Sequence, residues 1–528
     1  MKKGILYVSL MLTLTACSPK SNTPLVDSSL STNVTSDIEY KVEKTILSKG
    51  FQSISPAVEL MEKDRGQYFL VKFGVVECST ASVDSISRVN NEVNIYTSVK
   101  KEWGKKDIVV PQILIKLEDI DDLPLKDLKF NVIPSNYKPI QIKFDRAQVL
   151  NKIYTQFKYT ANTMPVVSLI KENSEYIWNV RLNNTFLKNN PSSPLFMFKA
   201  KINSDSGDIL NAQPILLSET IDQGKIIDYA KDSFIAYVQR EENDNISSES
   251  LWLYDLNSFE KRKIYSTNNS IFSVEFSPDL KKLAIIEYNG KLTDLYVVNL
   301  DSNLTQKITP MDRRHTWNIK WQNNHILCAV NNDDQKVSSI ITLDTLNNEE
   351  MVLFKVNLNI TNFDVNGDAF VLEESDFTKD ISSLYFKKSD DKSRKISSGI
   401  EGKFIDDNRL IYRKKVEKED KYELYIYDLK KNEETLLTDI DTREFSIVNK
   451  DTIFIVGKNN TSTDYSIYLY NLKKDESELL GQVLDKNIYY SHNLNTGFFS
   501  VVPSSDNADS QFIYGINFDE LNEYEKDS

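Results

Sequence analysis

The sequence predicts a mainly β protein, in which a seven-bladed β-propeller follows a small β-rich domain and a small α+β module. A short segment rich in β-branched and aromatic residues, mostly followed by Asp or Asn, recurs seven times. The copies begin 44, 46, 43, 40, 43 and 46 residues apart. A period of about 40–45 residues with several strands per repeat is typical of a propeller, whereas a β-sandwich has no reason to keep it. The copies begin at Leu251, Leu295, Ile341, Leu384, Leu424, Ile467 and Ile513.

Residues 1–16 are predicted to be a lipoprotein signal peptide. Lys2 and Lys3 precede the apolar segment Gly4–Thr13, which is too short to span a bilayer. The following Leu-Thr-Ala-Cys sequence, which ends at Cys17, resembles the bacterial lipobox. That resemblance implies cleavage before Cys17, a lipid on its thiol, and export. The alternative is an ordinary signal peptide that contains a cysteine. Residues 17–37 are rich in Ser, Thr, Asn and Pro, which predicts a flexible tether.

Residues 38–144 are predicted to form a β-rich N-terminal domain, because apolar β-forming segments alternate with polar linkers. An acidic cluster within it, residues 118–122, lacks the glycine-bearing loop of an EF-hand. We therefore interpret that cluster as a solvated turn rather than a cation site. The candidate strands are Tyr68–Glu77, Val93–Val99, Ile113–Leu117, Leu128–Ile133 and Ile140–Phe144.

Residues 145–212 are predicted to form the small α+β module. Apolar residues recur at helical spacing between Asp145 and Tyr159, which indicates one amphipathic helix. Strands at Tyr176–Leu182 and Leu195–Ile202 follow, and the second leads into Asp205–Leu210 (Asp-Ser-Gly-Asp-Ile-Leu). This order resembles the PepSY module of bacterial exported proteins. We interpret the Ser-Gly-Asp segment as a hairpin turn and not as a calcium loop.

Residues 213–528 are predicted to be the propeller. Phe276–Ala284 reads Phe-Ser-Pro-Asp-Leu-Lys-Lys-Leu-Ala, and Leu295–Asn299 reads Leu-Tyr-Val-Val-Asn. This pair resembles the repeat of TolB-like β-propellers, although Leu280 stands where that family usually has Gly. The departure leaves the turn type open but not the strand order. Because an open ring exposes a strand edge, we expect Ile215–Ser218 to pair with Gln511–Phe518 as the outermost strand of the last blade.

Composition excludes some classes of partner and site. The 528 residues carry a formal net charge of −13, which argues against nucleic acid, since phosphate binding needs a basic surface. The same charge argues against broad adhesion to anionic lipid, so the lipid anchor is the predicted membrane contact. Cys78 and Cys328 have no cysteine nearby in the sequence, which excludes a disulfide framework or a clustered zinc site. We expect both to be buried in strands.

Sequence motifs for catalysis are scarce. The three histidines are His315, His325 and His492, and no pair of them is spaced with a Glu as in zinc hydrolases. The chain has no Gly-x-Ser-x-Gly segment and no P-loop. The sequence therefore predicts no enzyme, no catalytic residue, no metal and no cofactor. Paired carboxylates for glycoside chemistry stay open, because their distance in sequence does not fix their distance in space.

One basic and aromatic segment is a candidate for partner contact. Arg313, Arg314 and His315 precede a predicted inner strand, Asn318–Trp321, and loops that enter inner strands lie near the mouth of a propeller channel. In an acidic protein these side chains are suited to an anionic group or a peptide carboxylate. The alternative is that Trp317 and Trp321 pack between blades while the arginines pair with local carboxylates.

Together these features predict an extracytoplasmic lipoprotein, anchored to the cell membrane, whose propeller binds or scaffolds a protein or peptide partner. One alternative is a propeller enzyme that acts on glycans or peptides. Another is a regulator of an exported peptidase, since the PepSY resemblance implies such a role. Fold does not decide among these functions.

Overall fold

A computed structural model describes residues 35–526 except 64–65, 103–106, 118–127, 162, 244–245, 309–317, 335–336, 377–380, 389–390, 418, 459–463 and 504–509. The chain folds as two compact units, one of Met1–Ser48 with Ser53–Ile140 and one of Lys49–Gln52 with Gln141–Ser528. The predicted signal peptide with Cys17, most of the predicted tether, the acidic cluster at 118–122 and Arg313, Arg314 and His315 lie outside the described residues.

The first unit consists of nine described strands in two sheets. One sheet has the order β1-β6-β7-β9, with β9 parallel to β7, and the other has the order β2-β8-β4-β3, with β5 also paired to β8. Several of these strands were not predicted, because β2 is mostly exposed and a bulge interrupts the alternation of β6. The strands are β1 (Thr35–Asp37), β2 (Tyr40–Ser48), β3 (Pro56–Lys63), β4 (Gly66–Phe73), β5 (Val76–Cys78), β6 (Thr80–Val89), β7 (Glu92–Lys100), β8 (Asp107–Leu117) and β9 (Lys129–Pro134).

The second unit begins with a helix and a five-stranded sheet. The Asp145 carboxylate accepts a hydrogen bond from the Gln148 amide, and the Gln148 side chain accepts one from the Asp145 amide, so a capping box starts the helix. Lys158, with a left-handed backbone, ends it. The predicted helix is therefore present. The elements are α1 (Arg146–Phe157), β10 (Tyr159–Ala161), β11 (Val166–Glu172), β12 (Glu175–Leu187), β13 (Leu195–Asn203) and β14 (Ile209–Ser218).

In this module the predicted hairpin turn is present, but the predicted strand just before the helix is not. Gly207 lies in the predicted hairpin turn between β13 and β14 with a φ of +72°, and an added Cβ there meets the Phe144 ring. Ile140–Phe144, however, is not a strand. The Phe144 amide donates to the Ser204 carbonyl, and its own carbonyl accepts a hydrogen bond from Trp178 Nε1. The segment is held by these single contacts with distant residues and does not join a sheet.

Seven four-stranded antiparallel sheets follow, which we call blades 1 to 7. A short strand, β15 (Asp222–Gln223), comes first. Blade 1 consists of β16 (Lys225–Ala230), β17 (Phe234–Asn243), β18 (Ile246–Asp255) and β19 (Lys261–Thr267), and blade 2 of β20 (Ser270–Phe276), β21 (Lys282–Tyr288), β22 (Thr293–Asn299) and β23 (Thr305–Ile308). Blade 3 consists of β24 (Ile319–Trp321), β25 (Ile326–Asp334), β26 (Val337–Asp344) and β27 (Glu349–Val356). Blade 4 consists of β28 (Ile360–Asn366), β29 (Ala369–Asp376), β30 (Ile381–Lys388) and β31 (Arg394–Ser398). Blade 5 consists of β32 (Ile400–Asp406), β33 (Arg409–Lys415), β34 (Tyr422–Asp428) and β35 (Glu433–Thr438). Blade 6 consists of β36 (Thr442–Asn449), β37 (Thr452–Lys458), β38 (Tyr465–Asn471) and β39 (Glu476–Val483). Blade 7 combines β15 with β40 (Tyr489–Ser491), β41 (Thr496–Val501) and β42 (Phe512–Asn517).

The blades form a closed ring. The inner strands of blades 1 to 5 contact each other in order, and β34 of blade 5 contacts β36 of blade 6. Blades 6 and 7 share one apolar cluster, and β16 of blade 1 contacts β41 and β42 of blade 7. Each of the seven recurring segments from the sequence overlaps the third strand of a blade. The prediction of a mainly β propeller is confirmed.

The prediction of which strand closes this ring is wrong. Ile215 and Ser218 belong to β14, which pairs with β13 of the α+β module, so the sheet of that module runs past residue 212. The ring is closed by β15, in which Asp222 lies opposite Ile513. The flanking Gly224 amide donates to the Gln511 carbonyl at 2.8 Å. Ile215 and Leu217 of β14 pack in an apolar core with residues of the module and of blades 6 and 7, whereas an outermost strand needs only its backbone hydrogen bonds.

The C-terminal segment is helical. Helix α2 (Phe518–Lys526) buries Phe518 and Leu521 in a cluster that includes Phe186 of the module and Tyr514 of blade 7. The described helices include none that is long and apolar enough to cross a bilayer.

Candidate binding site at the channel and its mouth

Ionisable side chains occupy equivalent positions on most inner strands of the propeller. Each lies opposite a buried residue at the same place in the second strand of its blade, as Asp228 does opposite Ala236 and Lys320 opposite Cys328. The other members of this set, the channel ring, are Glu275, Asp364, Lys403 and Tyr489. The charges of Asp228, Glu275 and Asp364 all act on Lys320, so the side chains converge.

Within the channel ring, an ion pair joins the neighbouring blades 2 and 3. Lys320 Nζ donates to both carboxylate oxygens of Glu275, at 2.9 Å each. Burial acts to lower the pKa of Lys320, but the nearby acidic groups, Glu275 foremost and then Asp364, outweigh it, so the pKa is raised and the ammonium stays charged. Lys403 has a lowered pKa, mainly because of burial, and its ammonium lies 4.7 Å from the Phe445 ring centroid.

The channel ring also ties the blades together. The Trp321 Nε1 donates to the Glu275 carbonyl at 2.9 Å, and the Phe404 amide donates to the Asp364 carboxylate at 2.9 Å. Each of these bonds crosses from one blade to the next. The ring residues therefore hold the channel wall in place, and the mouth of the channel is the part left for a ligand.

A bulge marks the start of five inner strands. The pairing register shifts after Ile226, Ile271, Ile360, Ile400 and Thr442. A bulge turns the extra residue away from the regular alternation and often re-aims its side chain beside a functional site. The repetition of this feature at the same end of the strands places a set of displaced side chains around one mouth of the channel.

Two cavities adjoin between blades 4 and 5, and we call them together the groove. They have volumes of 490 and 540 Å³ and share Ile381, Ser382 and Ile400. The inner cavity is also lined by Asn318, Thr361, Asn362, Glu373, Ser375, Asp376 and Glu401. The outer cavity is also lined by Ser398, Gly399, Arg413, Lys414, Lys415, Val416, Glu417 and Tyr422.

Carboxylates crowd the inner cavity. Burial raises the pKa of Glu373, and the charge of Glu401 adds to that rise. The Glu401 amide donates to Glu373 Oε2 at 2.7 Å, so the two residues are adjacent. Burial, and again the charge of Glu401, raise the pKa of Glu444. Arg413 forms an ion pair with Glu401, and Lys486 forms one with Glu444.

The sequence-predicted contact residues Arg313, Arg314 and His315 lie outside the described residues, so their role stays a prediction. Trp321, named in the alternative interpretation, is buried and packs with residues of blades 2 and 3. Sequence reasoning missed the channel ring and the groove. The signal was available in part, since Asp228, Glu275 and Lys320 recur at the repeat period, but the inner strands are short and carry little apolar pattern.

Cys78 and Cys328 are buried free thiols, as expected, and burial raises their pKa to about 11 and about 12. The His325 carbonyl accepts a hydrogen bond from the Thr345 amide, and His492 lies beside the Tyr490 ring. In the part of the chain that the structure describes, no group of His, Cys, Asp and Glu side chains is arranged to hold a metal ion.

No protein-family model and no curated protein matches the sequence. Solved structures of similar fold include the β-propeller domain of the Trilobed protease from Pyrococcus furiosus, 15% identical over 56% of this chain and 95% of that chain, with a TM-score of 0.42. TolB from Acinetobacter baumannii is 11% identical over 66% of this chain and 86% of its own, with a TM-score of 0.36. An oligogalacturonate lyase in complex with manganese is 12% identical over 68% and 98%, with a TM-score of 0.44. At these identities the similarity concerns the fold alone.

The prediction that the chain is not an enzyme is corrected by these comparisons. Proteins of similar fold include a lyase and peptidases. The prediction rested on missing motifs that belong to other folds, such as the Gly-x-Ser-x-Gly turn of α/β-hydrolases. A propeller that places carboxylates of different blades side by side can assemble reactive groups that no short motif records.

Proposed function

We propose that this chain is a lipid-anchored extracytoplasmic protein whose propeller binds a protein or peptide partner in the groove between blades 4 and 5. The observation that carries the proposal is the groove itself, since cavities of 490 and 540 Å³ lie within the range of ligand sites. Its two cavities share three residues and so offer an elongated site rather than a round pocket. An extended chain segment fits such a shape.

The groove lining has the mixed character that peptide recognition requires. Ile381 is 52% exposed at the junction of the two cavities and offers an apolar contact. Tyr422 adds an aromatic surface, and Thr361 and Asn362 add short polar groups. The channel wall below is already occupied by ion pairs and inter-blade hydrogen bonds. These features support a partner that enters the mouth and lies along the groove.

The anchoring half of the proposal is supported by the N-terminal sequence. Lys2, Lys3, the apolar segment Gly4–Thr13 and the lipobox-like Leu14–Cys17 occur in the order that lipoprotein processing requires. The predicted tether of about twenty residues corresponds to a root-mean-square reach of roughly 25 Å if it is flexible. Such a reach would suit a folded part that meets its partner away from the bilayer surface.

The proposal that the groove binds a peptide is tested by fluorescence anisotropy. Fluorescein-labelled random decapeptide pools are titrated with detergent-solubilised full-length protein. Ile381→Arg places a long charged side chain at the centre of the groove, so we expect it to weaken binding of the tightest pools by at least about tenfold. Leu304→Arg is the matched control, because Leu304 is 72% exposed in the turn between β22 and β23. Equal binding by both variants and the unchanged protein would refute the groove as the site.

A second candidate function is a hydrolytic or eliminating activity on glycans or peptides. It is favoured by Glu373 and Glu401, two adjacent carboxylates of neighbouring blades, of which Glu373 has a raised pKa. A carboxyl group that burial keeps protonated is suited to act as a general acid. Turnover of fluorogenic peptides or of nitrophenyl glycosides that is lost in Glu373→Gln supports this candidate, and turnover unaffected by that change removes it.

A further inference from the structure

We propose that the Glu401–Arg413 ion pair is the element that binds a main-chain amide of the peptide in the groove. In this arrangement Glu401 Oε2 accepts a hydrogen bond from a peptide N–H, and Arg413 Nε donates one to a peptide carbonyl. The inference rests on the proposed function and specifies how the same site recognises its ligand.

Unused hydrogen-bonding atoms on both members of this pair are the first observation. Arg413 is 6% exposed, and its Nη2 donates to Glu401 Oε1 while its Nη1 donates to the carbonyls of Thr442 and Arg443. Among the described residues, Arg413 Nε and Glu401 Oε2 are buried and have no hydrogen-bond partner. An unsatisfied buried polar atom costs about 1–3 kcal/mol, and native structures hold few of them. A donor and an acceptor left open on one ion pair indicate a shared partner.

The backbone at Glu401 is the second observation. Glu401 has a φ of +57°, which a residue with a Cβ rarely adopts, and it lies in the bulge between Ile400 and Lys403. Strain of this kind persists where the surrounding structure enforces it and is common at ligand sites. Here the strained residue is the one whose carboxylate has an unused oxygen.

The position of the pair in the groove is the third observation. Glu401 lines the inner cavity and Arg413 lines the outer cavity, so the pair stands at their junction. The Glu401 side chain is 28% exposed, so it borders the groove, and a small shift of this side chain that keeps Oε1 on Arg413 uncovers Oε2. A ligand that runs from one cavity to the other must pass this pair.

The chemistry of the two open atoms identifies the ligand group. A carboxylate ligand would satisfy Arg413 but oppose Glu401, and an ammonium would do the reverse. A peptide group offers one N–H donor and one carbonyl acceptor, which matches both atoms with no net charge. Recognition of the main chain also suits a groove that accepts an extended segment, because main-chain bonds give affinity without fixing the sequence.

The test is a backbone ester scan on decapeptides chosen from the tightest pool, measured by anisotropy with the full-length protein. An ester replaces one N–H by oxygen and so removes a single main-chain donor. We expect one ester position to weaken binding by about tenfold, the usual range for a hydrogen bond to a charged group. In Glu401→Gln, which pairs with Arg413 through its carbonyl and presents a donor in place of Oε2, the ester penalty at that position is expected to fall below about twofold.

Two further variants separate recognition from structure. Arg413→Lys keeps a cation beside Glu401 but lacks Nε, so amide peptides should bind more weakly while the ester penalty remains. Glu349→Gln, an exposed glutamate on β27, is the matched control and should leave the scan unchanged. If Arg413→Lys fails to fold, Glu401→Gln carries the test alone, because it keeps the size of the side chain. A purely structural role for the pair weakens amide and ester peptides alike and contradicts the proposal.

The outcomes also separate this inference from the proposed function. Binding that depends on Ile381 without an ester penalty at any position refutes the amide contact and leaves the groove as the site. An ester penalty that persists in Glu401→Gln refutes Glu401 as the acceptor. If no pool binds the unchanged protein, the proposed function fails and the inference fails with it.

Discussion

The protonation of Asp228 depends on its surroundings among the inner strands of the propeller. Burial in the channel raises its pKa to about 8, and the charge of Glu275 adds to the rise. The charge of Lys320 and the backbone amides of Tyr229 and Phe276 act in the opposite direction. The folded chain therefore keeps a proton on Asp228 that the unfolded chain loses near its ordinary pKa of 3.8. The contribution of this group to stability is complete below about pH 4 and is lost as the pH rises toward 8.

Asp228→Asn tests this linkage, because asparagine keeps the shape of the side chain and cannot ionise. We expect its melting temperature to exceed that of the unchanged protein at about pH 8.5, and the difference to vanish near about pH 4.5. Thermal unfolding followed by circular dichroism provides the measurement. Asp301→Asn, at an exposed position, is the control and should show no such trend. Parallel melting curves for Asp228→Asn and the unchanged protein at both pH values would show that the channel does not hold the proton.

At the scale of single residues, sequence predicted some features and missed others for identifiable reasons. Asp145 could be predicted as a helix start because a capping residue acts on its own neighbours in sequence. Leu280 has a left-handed φ of +56° at the position where TolB-like propellers usually have Gly, so the same turn forms here without a glycine. The Glu401–Arg413 pair could not be predicted, since its partners belong to different strands and its meaning depends on atoms left without a hydrogen bond.

At the scale of secondary-structure elements, the position of the closing strand β15 depends on the backbone at the glycine that follows it. Gly224 follows it with a φ of +147°, and an added Cβ meets the Tyr237 ring at 2.8 Å and the Val238 carbonyl at 2.9 Å. The Val238 carbonyl belongs to β17, so the clash pushes the Gly224 segment away from blade 1 and strains the hydrogen bond from the Gly224 amide to the Gln511 carbonyl beside β15. The sequence of Asp222 and Gln223 carries no apolar pattern, which is why β15 was missed while the longer, buried strands of the blades were found.

Gly224→Ala is expected to lower the free energy of unfolding by about 3 kcal/mol, since it adds a backbone clash to the cost of a positive φ. Gly290→Ala is the matched control, because Gly290 has a φ of +87° and open space around the added Cβ. That variant should lose only about 1 kcal/mol. Urea unfolding of both variants measures the difference, and equal losses would mean that β15 does not lock the ring.

For the whole molecule, the repeat spacing was sufficient to predict the propeller, because each blade solves the same packing problem. The edges of the modules were harder to place. Strand β14 crosses residue 212, the predicted end of the α+β module, because Ile215 and Leu217 pack in the core shared with blades 6 and 7. Boundaries of this kind are decided by packing between elements far apart in sequence and not by local composition.

The proposed lipid anchor makes a prediction for the intact protein. Cys17→Ser removes the thiol that would carry the lipid, so we expect an unprocessed precursor that takes up no labelled palmitate in bacteria. Cys328→Ser is the control, because that thiol is buried in blade 3 and should not affect labelling. Cleavage before residue 17 with retained palmitate label in Cys17→Ser would exclude this anchor.

The central claim, that the groove between blades 4 and 5 receives a peptide, is tested most directly by hydrogen–deuterium exchange of the full-length protein. Exchange is compared with and without a saturating amount of the tightest decapeptide pool. The account predicts slower exchange in the segments that line the groove, at residues 381–382, 398–401 and 413–416, and unchanged exchange in the turn at 300–304. Protection confined to other segments, or no protection at saturating peptide, contradicts the claim.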